Sequence, residues 1–112
     1  KMVHFFKKFR KKAELSENQE HLIEVIRNAL LSHDATSISY FSEWLGHLPF
    51  GLYHWITVNG EDFTNSVQSP DTLGSDLEQL VISGKLIEID RKITNFKDVG
   101  PNDVRIEYKL SE

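Results

Sequence analysis

Glu17, His21 and Glu24 follow one another at spacings of four and three, which on a helix sets an imidazole between two carboxylates on one face. A metal needs several such ligands converging at bonding distance. Without an H-E-x-x-H pattern the trio reads as a solvated helix face, and no metal site is predicted. His47 and His54 flank a Pro/Gly turn and a strand and read as structural. There is no cysteine, which rules out disulfides, thiolate zinc sites and a thiol nucleophile. No serine has a glycine two places to either side, as a nucleophile elbow requires. Nor is there a glycine-rich phosphate cradle or a dinucleotide fingerprint. Acidic residues are plentiful, but nothing singles out two of them as an acid–base pair. The expectation is a non-enzymatic chain with no cofactor and no small-molecule substrate.

The charge layout is more informative. The net charge of −4 over 112 residues hides three unequal segments. Residues 1–12 carry +6, residues 13–84 carry −10 with Arg27 as their one base, and residues 85–112 balance. Any electrostatic partner meets two different surfaces. Hydrophobic content of 39% and charged content of 27% are those of an ordinary soluble domain, and the length suits one. No apolar run approaches the roughly 18–20 residues of a membrane span, and the charges of KMVHFFKKFRKK interrupt any signal-peptide core. Absence of cysteine fits a reducing cytoplasm.

The elements that position these groups follow from periodicity. Residues 1–13 form a basic amphipathic arm, with Met2, Phe6, Phe9 and Ala13 at helical spacing. Residues 14–112 form one domain. Ser16 and Gln19 make a capping box for a helix from about Glu17 to Leu31, with Leu22, Val25, Ile26, Ala29 and Leu30 inward. A further helix is predicted from about Ile38 to Leu45, capped by Ser37, with Ile38, Phe41, Trp44 and Leu45 on one face. Leu52–Val58 is a strand and Asn59-Gly60 a hairpin turn. Residues 61–67 read as strand or as a short helix, with a lean to helix. The aromatic cluster Tyr40, Phe41, Trp44, Phe50, Tyr53 and Trp55 reads as core.

Ser69 then caps, Pro70 opens and Gly84 stops a last helix, with Leu73, Leu77, Leu80 and Val81 inward. In KLIEIDRKI, Ile87, Ile89 and Ile93 share one parity. In VRIEYKL, Val104, Ile106, Tyr108 and Leu110 share one face, opposite Arg105, Glu107 and Lys109.

A helical bundle, then DTLGSDLEQLVISGKLIEI, then strand–loop–strand resembles a winged-helix domain over roughly residues 34–110. The resemblance implies an α+β fold, a small helical bundle followed by a β-hairpin wing, here with an extra N-terminal helix. Members of that fold mostly bind DNA through the third helix. The matching helix here shows Asp71, Ser75, Glu78, Gln79 and Ile82 outward: two carboxylates, one apolar side chain and no cation, an arc that phosphates repel. The leading expectation is therefore a non-catalytic binding domain that docks on a protein partner or on a second copy through those five residues. A DNA-binding regulator is the alternative. It would use the arm (Lys7, Lys8, Arg10, Lys11, Lys12) and the wing (Arg91, Lys92, Lys97). Association of the arm with an anionic membrane surface is the third.

Overall fold

Ile38, Tyr40 and Ser42 are buried, while Ser39, Phe41 and Glu43 between them are only partly so. That period of two belongs to a strand with one face on the core. The computed structural model, which describes residues 14–45, 51–94 and 102–111, places here a nine-residue strand, β1 (Ser37–Leu45). The predicted helix over 38–45 is thereby corrected, and with it the helical bundle. Ile38, Phe41, Trp44 and Leu45 also satisfy helical spacing, but the core takes Ile38 with Tyr40, not Ile38 with Phe41. Among the described residues there are two α-helices and five strands.

The other elements are α1 (Glu17–Ser32), β2 (Gly51–Val58), β3 (Glu61–Asp62), α2 (Leu73–Ile82), β4 (Leu86–Thr94) and β5 (Asp103–Leu110). The strands form one antiparallel sheet in the order β3-β2-β1-β5-β4. Both helices pack on the same face of it. The core joins Leu22, Ile26 and Leu30 of α1 and Leu73, Leu77 and Leu80 of α2 to Ile38, Ile56, Val58, Leu86, Ile106 and Tyr108 of the sheet. Tyr108 is almost wholly enclosed. Burial first, then the Glu78 and Glu88 carboxylates, pushes its hydroxyl up to about 12.

Local chemistry sets the ends. Ser16 Oγ accepts from the Gln19 backbone N–H, and Gln19 Oε1 accepts from the Ser16 backbone N–H, so the capping box at α1 is complete. The Gln19 amide also donates to Asp76 at 3.2 Å, and Thr72 donates to the same carboxylate at 2.8 Å. The buried Asp76 thus ties the starts of the two helices together. Ser69 does not cap α2 directly; its hydroxyl bonds that of Thr72, and a 3-10 turn over Pro70–Thr72 leads in. Gly84, at φ +83°, ends α2 with Lys85 N–H donating to Leu80 C=O at 2.8 Å. Residues 61–67 combine both expected forms: a two-residue strand after the Asn59-Gly60 turn, then a 3-10 turn over Thr64–Ser66.

β4 holds a second correction. Its pairing with β5 shifts between Glu88 and Asp90, leaving Ile89 as the extra residue of a bulge. Before the bulge Leu86 and Glu88 oppose Leu110 and Tyr108 on the helix-covered face; after it Arg91 and Ile93 oppose Ile106 and Val104 on that same face. Ile87 and Ile93 therefore lie on opposite faces despite their equal parity in the sequence. The reversal also lets Arg91 reach Glu88, three residues away, with two contacts of 2.8 and 3.0 Å. On a regular strand that spacing would point the two side chains apart.

Two tests follow from this packing. A Cβ at Gly74 would lie 2.7 Å from the Tyr40 hydroxyl, which α2 presses against the sheet. Gly→Ala in an open helix gains about 1 kcal/mol, whereas overpacking costs about 1–3 kcal/mol. Gly74→Ala is expected to destabilise in urea unfolding, and to become neutral or stabilising in a Tyr40→Phe background.

His33 supplies the pH test. Its Nδ1 lies 3.0 Å from Ala29 C=O and its Nε2 2.9 Å from Glu61 Oε1, joining the end of α1 to β3. Both ring nitrogens donate when the ring is protonated, and the Glu61 contact is the main reason its pKa is raised above 6.5. A folded pKa above the unfolded one stabilises fully below 6.5 and progressively less as pH rises through the folded value. The urea midpoint of the wild type should fall relative to that of Glu61→Gln as pH rises from about 6 through the folded pKa of His33. A constant difference would remove His33 from the account.

Candidate interface on the open face of the sheet

The face of the sheet turned away from the helices is built by the alternate residues of each strand, and the register sorts them into transverse rows. One row runs Lys92, Arg105, Phe41, Trp55 across β4, β5, β1 and β2. Next to it, towards the end of β1 and the start of β5, Thr94 faces Asp103 and Glu43 faces Tyr53. The row on the other side is Asp90, Glu107, Ser39, Thr57, Asp62. Ile87, Lys109 and Ser37 complete the face.

Within the central row the Phe41 and Trp55 rings stack, with centroids 5.2 Å apart and planes 12° from parallel. The Arg105 guanidinium lies 5.9 Å from the Phe41 centroid, on the outer limit of a cation–π contact. Lys92 sits directly across from Arg105. Two like charges so placed repel, and carboxylates in the rows on either side offset them. Phe41, Glu43, Lys92, Thr94, Asp103 and Arg105 border a shallow cleft of about 240 Å³. Ser37 donates to Glu107 at 2.7 Å and fixes one carboxylate of the rim. Among the described residues this face carries five acids (Glu43, Asp62, Asp90, Asp103, Glu107) and three bases (Lys92, Arg105, Lys109).

The aromatic cluster expected in the core is thus divided. Tyr40 is buried, with its hydroxyl on His54 Nδ1; Phe41, Tyr53 and Trp55 stand half-exposed on the open face. Burial holds the Tyr40 pKa up, against an opposing hydrogen bond from Ser42. Phe50 and the side chain of Trp44 lie outside the described residues.

The residues singled out from the sequence fall as follows. Asp71, in the 3-10 turn before α2, and Ser75, Glu78, Gln79 and Ile82, on α2 itself, are all exposed, Ile82 at 69%. They remain an acidic arc remote from the aromatic row. Arg91 is held by Glu88, and its guanidinium lies 3.7 Å from Glu78. The Glu88 contact raises the Arg91 pKa and lowers that of Glu88, so each holds the other charged within the fold. Lys92 belongs to the aromatic row instead. Lys7, Lys8, Arg10, Lys11, Lys12 and Lys97 lie outside the described residues. Glu17, His21 and Glu24 share α1, and among the described residues no three His, Asp or Glu side chains converge as metal ligands. No described helix is long and apolar enough to cross a membrane. No family model, curated protein or solved structure matches this chain.

Proposed function

We propose that this chain is a non-catalytic binding domain that docks on a protein partner through the open face of its sheet. The observation that carries the reading is the stacked Phe41–Trp55 pair with Arg105 against it, half-exposed and ringed by charged side chains. Tryptophan, tyrosine and arginine dominate binding energy at interfaces, where a central aromatic anchor is surrounded by a polar rim that excludes water. The face holds five acids against three bases, two of which lie in the central row, so the matching partner presents an apolar or aromatic anchor within a basic border. The surplus of acids also disfavours a polyanion on this face, and the acidic arc of α2 disfavours one there. Nucleic-acid binding through the basic arm stays as an outcome of the test.

The experiment compares capture from native extract by wild type, Trp55→Ala, Arg105→Glu and Ile82→Ser, with mixed-sequence duplex DNA as a separate probe. A protein retained by wild type and Ile82→Ser, but lost by at least about tenfold with Trp55→Ala and Arg105→Glu, is expected. Retention by the open-face variants with loss in Ile82→Ser would move the interface to α2. Duplex binding that weakens steeply with salt would favour the nucleic-acid reading.

A further inference from the structure

β4 closes the sheet on one side, and among the described residues no strand pairs with its outer edge. Residues 87–93 are all exposed, with Ile87 at 41%, Ile89 at 46% and Ile93 at 51%. An edge of this length that keeps three isoleucines in solvent is a template for another strand.

The order of charges along the strand says which strand. The carboxylates Glu88 and Asp90 come first and the cations Arg91 and Lys92 follow, with isoleucines before and after. A two-fold antiparallel approach lays the acidic half of one copy on the basic half of the other; a parallel approach lays like on like. The bulge makes the two-fold register consistent with the faces. With the axis beside Asp90, Glu88 of one copy meets Arg91 of the other, and Leu86 meets Ile93, both on the helix-covered face assigned by the β4–β5 register. On the open face Ile87 meets the stem of Lys92. The two Asp90 carboxylates approach each other at the axis, which is the cost of this register.

We infer that the chain forms a two-fold dimer by antiparallel pairing of β4 with β4 of a second copy, continuing the sheet across the axis. Growth ends at two copies. A two-fold contact uses the β4 edge of each copy against the same edge of the other, which leaves no β4 edge for a third. This interface meets the open face at Ile87, Asp90 and Lys92 but uses none of Phe41, Trp55 and Arg105, so variants at Trp55 and at Ile87 test the two apart.

Sedimentation velocity over a concentration series tests it on the full chain, with circular dichroism to show that each variant is folded. Wild type should sediment as a concentration-dependent dimer. Ile87→Lys changes an exposed side chain and sets a new cation opposite Lys92; it should weaken association by about tenfold or more. Asp90→Asn removes the repulsion at the axis and should strengthen it. A wild type that stays monomeric at every concentration would overturn the inference. So would a dimer indifferent to Ile87→Lys, one weakened by Asp90→Asn, or one dissolved by Trp55→Ala alone.

Discussion

β1 sits at the centre of the sheet and can give only one of its faces to the helices. Because strand side chains alternate strictly, giving Ile38, Tyr40 and Ser42 to the core forces Ser39, Phe41 and Glu43 outward. That single constraint sets both the core and the candidate interface. Its two neighbours in register carry it across the sheet: Ile106 and Ile56 follow Tyr40 inward, while Arg105 and Trp55 follow Phe41 outward. A slip of one residue would bury a phenylalanine beside a glutamate and expose all three core positions of β1. The Phe41–Trp55 stack therefore stands in water because the opposite face has taken the residues that complete the helix-side core.

The helix-side layer tolerates little adjustment. Gly74 lets α2 lie close enough for Tyr40 to reach His54 beneath it, and Asp76 accepts from both Gln19 and Thr72. A buried carboxylate needs such partners to offset its lost hydration. Glu88, Arg91 and Glu78 form a second tie, between β4 and α2, that exists only because the bulge returns Arg91 to the helix side. Exposed pairs of this kind add little stability, and this one bears more on where β4 turns than on how firmly it is held.

Much of this was legible in the sequence wherever the signal was local. The capping box of Ser16 and Gln19, the Asn59-Gly60 turn, the leucines of α2, the Gly84 stop and the alternation of β5 each lie within a few residues. β1 was not legible, because its polarity is locally inverted: Ser42 is buried and Phe41 is not. Only the partners across the sheet decide that, and they come from residues 53–58 and 104–108. The bulge at Ile89 was hidden for a similar reason. Three isoleucines of equal parity suggest a regular strand, and the inserted residue shows only in the pairing with β5. The interface row escaped notice because its four members come from four different strands.

The most direct measurement uses the absence of cysteine from the chain. Single cysteines at Ser39 and Ser42 would each report the accessibility of one position to a thiol reagent under native conditions. With β1 as a strand, Ser39→Cys should react readily and Ser42→Cys only through unfolding, since the two occupy opposite faces of the sheet. Similar rates at both positions, as a helix with residues three apart on one face would give, would contradict the account.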